Sequence, residues 1–105
     1  MIRINGVYLD FNQDIYVVTY SLLNKFSKRG KRYKKIVGIY KDKLSMLGEK
    51  HFTVKSTKFG ESFKYDDYGI TWFDSYKEAK KFILNKDSKN KLVKRTNKFW
   101  EVIVE

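Results

Sequence analysis

The sequence predicts an α+β fold in which an antiparallel, twisted sheet of about five to seven strands carries one α-helix, at residues 75–86, on one face. Two observations lead to this prediction. Alternating runs rich in Val, Ile, Tyr and Phe recur along most of the chain, as is typical of strands. The segment 75–86 instead shows helical spacing of its apolar residues and a capping sequence at its start. A long basic β-hairpin over residues 15–41 is the largest predicted feature of the sheet.

The composition predicts one folded domain spanning residues 1–105. Apolar residues make up 42% and aromatic residues 17% of the chain, which suits a hydrophobic core and is unlike disordered proteins. The chain has no cysteine, which excludes disulfides, thiolate metal sites and cysteine nucleophiles. No apolar run is long enough to cross a bilayer, and the start, MIRINGVYLD, lacks the apolar segment of a signal peptide. We therefore expect a cytoplasmic protein that does not insert into membranes.

The chain begins with a predicted β-hairpin. Asn5-Gly6 is a preferred pair for a two-residue turn between strands. A turn at this position would bring the flanking apolar residues together in two pairs on one face. The pairs are Ile4 with Val7 and Ile2 with Leu9. Residues 12–14 then predict a second turn.

The long hairpin is predicted from two strands, residues 15–26 and 33–41, that reverse at Gly30. One face of the first strand is aromatic and apolar. The other face carries Ile15 and Val17 together with polar residues, so we expect it to be only partly covered.

The segment between the hairpin and the helix gives weaker signals. Residues 41–48 predict a single helical turn ended by a glycine. Residues 51–59 predict a strand, and residues 60–62 a turn. Residues 63–73 predict a short hairpin bent at an Asp-Asp-Tyr-Gly sequence.

The predicted helix begins with a capping box. Ser75 is followed three residues later by Glu78, so that side chains can satisfy the free amides of the first turn. Beyond the helix, residues 87–97 predict a polar loop, and residues 98–105 predict a last strand whose open edge could accept another chain. We expect the apolar helix face and both tryptophans to lie in the core. These residues are Tyr76, Ala79, Phe82, Ile83, Trp72 and Trp100.

The formal net charge of +11 is concentrated in two segments. Residues 25–35 contain seven basic side chains and no acidic one, and residues 86–98 contribute a further excess of +5. The remaining positions nearly balance, with a net charge of −1. Three of the four arginines fall inside the two segments, and arginine offers phosphate a planar fork where lysine offers a point charge. This distribution favours a surface for an anionic partner over charge that only keeps the protein dissolved.

The first hypothesis is a small, non-enzymatic nucleic-acid-binding protein. Lys and Arg neutralise phosphates and release counterions, which gives affinity without sequence preference. A two-stranded ribbon is narrow enough for the major groove of B-DNA, and aromatic residues among the charges can stack on unpaired bases. We expect the hairpin tip at 25–35 and the post-helix loop at 86–98 to make the contacts. The candidate residues are Lys25, Lys28, Arg29, Lys31, Arg32, Tyr33, Lys34, Lys35, Lys91, Lys94 and Arg95.

Two other classes of function stay open. The chain could be an inhibitor or interaction protein of the phage or mobile-element type. Such a protein docks on an acidic host protein or a nucleoprotein complex, for example a defence nuclease, and its basic loops steer association. The third class is an enzyme, either ribonuclease-like or a metal nuclease. Binding of naked nucleic acid separates the first two classes, and cleavage of RNA with and without EDTA tests the third.

No residue pattern predicts a catalytic or metal site of comparable strength. His51 is the only histidine, and nothing near it in sequence would set its tautomer. Asp66, Asp67 and Asp74 could bind Mg²⁺, yet the first two are explained by turn chemistry. The D-x-K fragment at residues 87–89 resembles part of a metal-nuclease pattern but follows a helix instead of lying on a core strand. We therefore expect no catalytic residue, no metal and no cofactor.

Overall fold

The computed structural model describes the backbone of residues 2–4, 6–26, 32–55 and 62–104. Within these residues the chain forms nine strands, one short 3-10 helix at Tyr65–Asp67 and one α-helix, α1, at Tyr76–Lys86. The fold is α+β, as predicted. The strands are β1 (Ile2–Ile4), β2 (Val7–Leu9), β3 (Asp14–Phe26), β4 (Arg32–Leu47), β5 (His51–Val54), β6 (Ser62–Lys64), β7 (Trp72–Phe73), β8 (Asn90–Lys94) and β9 (Phe99–Val104).

Seven strands form one curled antiparallel sheet organised around β4. β3 pairs along one edge of β4, and the outermost described pair is Phe26 with Arg32. β9 and β5 pair with successive segments of the other edge, at residues 38–40 and 44–47. β8 extends the sheet beyond β9, β6 extends it beyond β5, and β7 pairs with β3. β1 and β2 form a separate two-stranded sheet.

The N-terminal hairpin has the predicted register, with Ile4 opposite Val7 and Ile2 opposite Leu9. Gly6 has a φ of 83°, which glycine adopts without strain. The turn predicted at residues 12–14 begins earlier than expected. The amide of Gln13 donates to the carbonyl of Asp10 at 3.3 Å, and β3 has already begun at residue 14.

The sheet carries a hydrophobic core on each face. One core gathers around Ile15 and Val17, and the other lies between the sheet and α1. On the face of the first core, Ile15, Val17 and Thr19 are buried, the first two under the N-terminal hairpin, β5, β6 and the 3-10 helix. The side chains of Ser21 and Leu23, further along the same face, lie outside the described part of the structure, so the expectation that the face is only partly covered stays a prediction. The first core consists of Leu9, Ile15, Val17, Leu44, Phe52, Tyr65 and Trp72. The second consists of Val18, Ile39, Phe73, Ala79 and Ile83.

Residues 41–47 continue β4 and do not form the predicted helical turn. Both edges of this segment are hydrogen-bonded, because the amide of Leu44 donates to Gln13 at 2.9 Å and the carbonyl of Lys43 accepts from Lys55 at 2.9 Å. Asp42 and Leu44 are buried while Lys43 is exposed, so the segment has strand periodicity. Long-range pairing thus overrides the local helical signal.

The predicted hairpin at residues 63–73 is also wrong. β6 pairs with β5, whereas β7 pairs with β3, so the two segments have different partners. The 3-10 helix leads the chain from one to the other. The strand predicted at residues 51–59 begins at His51 and ends at Val54. Residues 56–61, which include most of the predicted turn at 60–62, lie outside the described part of the chain.

The helix forms where it was predicted. The hydroxyl oxygen of Ser75 accepts from the amide of Glu78 at 3.2 Å, and Ala79 and Ile83 are fully buried. Of the two predicted core tryptophans, Trp72 is fully buried and Trp100 is half-buried against the second core. In the part of the chain that the structure describes, no helix is both long and apolar enough to span a membrane.

The C-terminal region differs from the prediction in two ways. Asn90–Lys94 is a strand, β8, and not part of a polar loop. β9 pairs with β8 on one side and, at Phe99, Trp100 and Glu101, with β4 on the other, so this first half of the last strand has no open edge. The exposed edge belongs to β8, whose lysines suit such a position.

Candidate nucleic-acid interface

The predicted basic hairpin corresponds to the outer part of β3 and β4. The outermost contact of β4 with β9 pairs Gly38 with Glu101, and β7 reaches only Tyr16 and Val17 of β3. From Tyr20 outwards, therefore, β3 and β4 pair only with each other among the described strands. We call this two-stranded stretch, residues 20–26 and 32–36, the ribbon.

A register shift separates the ribbon from the body of the sheet. Thr19 lies opposite Gly38, but Tyr20 lies opposite Ile36, so that one extra residue of β4 is inserted between these pairs. Bulges of this kind increase the local twist of a strand pair. The ribbon is therefore a distinct extension of the sheet, in the position that the sequence predicts for the basic hairpin.

Several predicted interface residues belong to the ribbon backbone. Arg32 is opposite Phe26, Lys34 is opposite Leu22 and Lys35 is opposite Ser21. The structure describes no side chain between residues 21 and 35, so the basic surface expected there stays a prediction. Three further predicted contacts, Lys28, Arg29 and Lys31, lie outside the described residues. The predicted Lys25 and Tyr33 are described as backbone within β3 and β4.

The second predicted group does not form one surface. The ammonium group of Lys94 lies 5.9 Å from the centre of the Trp100 ring, on the face of the sheet that bears α1. Arg95 instead pairs with Glu101 at 3.3 Å, and strand alternation places Lys91 and Glu101 on the opposite face. The post-helix segment is thus an edge strand with basic residues on both faces, and its contact with nucleic acid beside the hairpin stays a prediction.

Three aromatic rings meet near the start of α1. The centres of the Tyr76 and Trp100 rings are 4.7 Å apart, and Tyr16 lies 6.3 Å from Tyr76 and 6.2 Å from Trp100. All three side chains are half-buried, so each keeps part of its surface open to solvent. We call these residues the aromatic cluster. Burial raises the pKa of the Tyr76 hydroxyl, which stays neutral at physiological pH.

An open cleft of about 180 Å³ lies along β3 and β4, and no residue of the aromatic cluster lines it. One of its lining residues, Lys41, is opposite Tyr16 of the cluster, and the Lys41 amide donates to the carbonyl of Lys98 at 2.7 Å. Three lysines, two aspartates and one asparagine line it. These are Asp14, Lys41, Asp42, Lys43, Asn97 and Lys98.

The carboxylate of Asp14 offsets part of the positive charge of these lysines. This carboxylate accepts from the ammonium group of Lys43 at 2.9 Å and lies 3.6 Å from that of Lys41. The hydrogen bond from Lys43 is the largest influence on the carboxyl group, and with Lys41 it holds the pKa of Asp14 below its ordinary value. Lys94 and Lys98 make no ion pair with any residue that the structure describes.

The sequence did not predict this lysine and aromatic surface. Its members come from β3, β4, α1, β8 and the start of β9, and only strand register brings them together. The alternation of Lys98 and Trp100 just before the C-terminus was the one local signal. The prediction that Trp100 is a core residue is correct for the part of the ring that packs on Tyr76 of α1.

The weaker candidates for catalysis or metal binding are exposed or have structural roles. His51 is exposed on β5. Asp74 accepts from the hydroxyl of Tyr68 at 2.8 Å, and burial together with this carboxylate raises the pKa of Tyr68 to about 12. Asp87 accepts from the amide of Lys89 at 2.9 Å, which is turn chemistry. Among the described residues, no group of three or more His, Cys, Asp or Glu side chains could hold a metal ion.

Comparisons of this chain with protein-family models, with curated proteins and with solved structures found no match.

Proposed function

We propose that the protein binds nucleic acid, with the ribbon of β3 and β4 as its principal contact with the phosphate backbone. The observation that carries this proposal is the place of the most basic segment in the fold. Residues 25–35 hold seven basic side chains and no acid, and the strands that lead to them extend beyond every other described pairing partner. A two-stranded extension of this kind can enter a groove that the body of the sheet cannot.

The physical signature of such binding is its dependence on salt. Each phosphate that is neutralised releases condensed counterions, so five to seven contacts give a log–log slope of roughly −4 to −6 on B-DNA. The measurement is fluorescence anisotropy of labelled duplex DNA, duplex RNA and single strands at several salt concentrations. Affinity that does not change with salt, for every one of these probes, contradicts the proposal.

Charge reversal locates the contact. We expect the double variant Arg29→Glu, Arg32→Glu to lose most of the affinity, because each substitution replaces an attraction to phosphate by a repulsion. The matched control is Lys77→Glu, Lys80→Glu, which makes the same change of net charge at two exposed positions of α1. Equal losses in the two double variants would show that net charge alone, and not the ribbon, drives binding.

The same experiments separate the proposal from the interaction-protein hypothesis. A protein that docks on an acidic partner would use its basic residues to steer association but would leave naked nucleic acid unbound. Absence of binding to all probes at low salt would favour that hypothesis and overturn the proposed function.

A further inference from the structure

We infer that the face bearing α1 holds a second nucleic-acid site, which selects unpaired strands by stacking a base on Trp100. This inference deepens the proposed function and rests on it. It concerns the base of the ribbon and not its tip: Trp100 is opposite Ile39, three residues from the inner end of the ribbon at Ile36, whereas the outermost described pair of the ribbon includes Arg32.

The two tryptophans of the chain have contrasting surroundings. Trp72 is fully buried, and its indole nitrogen donates to the carbonyl of Lys64 at 2.9 Å. Trp100 is half-buried and its indole nitrogen donates to no described residue. The intermediate burial of Trp100 leaves part of its side chain open to solvent. Trp100 is thus anchored on one side and open on another.

The neighbours of Trp100 match what a stacked nucleotide needs. Tyr76 and Tyr16 fix the indole ring from the side of α1 and β3. Lys94, directly opposite on β8, has its ammonium group over the ring, 5.9 Å from the ring centre, and this exposed side chain can turn toward the phosphate of a stacked nucleotide. Lys98 and Lys41 line the cleft described above. Aromatic faces set beside cations are the common design of sites for single strands, in which bases stack and the backbone follows the positive charge.

The geometry favours unpaired over paired nucleic acid. In a duplex both faces of each base are covered by its neighbours, so an aromatic ring gains a stacking partner only where a base is already free or is extruded at a cost. Trp100 lies on a half-buried sheet surface beside a helix, not on a projecting loop, so it cannot insert between stacked bases. A flexible single strand can approach it and lay its phosphates along the lysines.

Intrinsic fluorescence tests the stacking directly. Labelled and unlabelled oligothymidine and oligouridine of about twelve nucleotides, within the usual range of single-strand sites, serve as probes beside a duplex of equal length. We expect the single strands to quench the emission of the wild-type protein as they saturate it, because a base stacks on Trp100. The Trp100→Phe variant retains only the buried Trp72, so we expect it to bind without quenching.

Affinities supply a second, independent readout. From wild type through Trp100→Phe to Trp100→Leu we expect single-strand affinity to fall by about tenfold in total, since stacking on one aromatic ring has roughly that effect. Duplex affinity should stay within about twofold. Leucine keeps apolar volume in the second core, and an unfolding curve checks that each variant is folded.

Surface variants keep the test informative even if Trp100 variants unfold. We expect Lys94→Gln, Lys98→Gln to make the salt slope for single strands shallower by about 1.4, which corresponds to two lost phosphate contacts. The control is Lys77→Gln, Lys80→Gln on the exposed face of α1.

The possible results separate this inference from the proposed function. Saturating single-strand binding with unchanged tryptophan emission would overturn the inference and leave the ribbon proposal intact. Equal quenching by duplex and single strands would overturn the selection of unpaired strands. No binding of any probe would overturn both proposals.

Discussion

At the scale of single residues, Asp14 is the clearest electrostatic feature of the described surface. Its carboxylate contacts the ammonium groups of Lys43 and Lys41, and its pKa is lowered from the ordinary value of 3.8. Because the pKa of Asp14 is lower in the folded than in the unfolded state, the ionised carboxylate stabilises the fold at pH values above the unfolded-state pKa. This contribution is lost as the pH falls through the folded-state value.

We therefore expect Asp14→Asn to destabilise the protein at pH 7 and to have no effect at a pH below the folded-state value. Because the Asp14 side chain is 38% exposed, solvent screening limits the difference to less than about 1 kcal/mol, and salt reduces it further. Urea unfolding at both pH values measures it. Asp66→Asn, at an exposed carboxylate, is the control. A deficit of Asp14→Asn that persists in acid would show that the effect is not electrostatic.

At Gly38, β4 lies directly against the backbone of β9, with no room for a side chain. A Cβ atom at this position would overlap the carbonyl oxygen of Trp100 and lie 2.9 Å from the ring of Phe99. We expect Gly38→Ala to destabilise the fold by about 1–3 kcal/mol or more, because β9 would have to move away from β4. Gly6→Ala is the comparison, since a Cβ there meets no atom within 4 Å and only the backbone conformation is strained. Unfolding curves that show a smaller loss for Gly38→Ala than for Gly6→Ala would contradict this contact.

At the scale of elements, the start of α1 depends on one side chain. The Ser75 hydroxyl accepts from the amide of Glu78, so Ser75→Ala leaves that amide without a protein partner. We expect a loss of about 0.5–2 kcal/mol in the free energy of unfolding. Ser88→Ala, at an exposed turn after the helix, removes the same hydroxyl without a cap and should change stability little. Similar losses in both variants would show that the cap does not contribute.

Elements defined by local chemistry were predictable, whereas elements defined by distant partners were not. The helix and the Asn5-Gly6 hairpin follow from capping and turn residues a few positions apart. The continuation of β4 to Leu47 depends on the carbonyl of Gln13, which accepts from the amide of Leu44, and on the amide of Lys55, which donates to the carbonyl of Lys43. Both partners lie outside the segment, and Gln13 is far from it along the chain, so the nearby glycine gave a false helical signal.

β8 and the aromatic cluster escaped prediction for related reasons. An edge strand is paired on one side only, so most of its residues can be polar. In the β8 sequence NKLVK, only Leu92 and Val93 indicate a strand. The lysine and aromatic surface has members at positions 16, 41, 76, 94, 98 and 100, which share no spacing. The basic segment at residues 25–35, by contrast, is evident in the sequence because its charges are contiguous.

At the scale of the whole molecule, one sheet separates two cores. Ile15 and Ile83 are each fully buried, in the first and second core respectively. We expect Ile15→Val and Ile83→Val to cost about 0.5–1.5 kcal/mol each. Because they share no core cluster, the double variant should equal the sum of the two within about 0.5 kcal/mol.

The control pair lies within one core. Ile39 and Ile83 belong to the same cluster, so Ile39→Val combined with Ile83→Val should depart from additivity. Denaturant titrations of the single and double variants provide the comparison. Strong coupling between Ile15 and Ile83, equal to that between Ile39 and Ile83, would contradict two separate cores.

The insertion of β9 between β4 and β8 also bears on how the chain folds. Glu101 pairs with Gly38, far away in sequence, and with Val93 close by. The β8–β9 pair can therefore assemble early from neighbouring residues, while docking on β4 must wait for a large loop to close. We anticipate a refolding reaction in the millisecond-to-second range, typical of proteins rich in distant strand contacts, with the joining of β9 to β4 as its slow step.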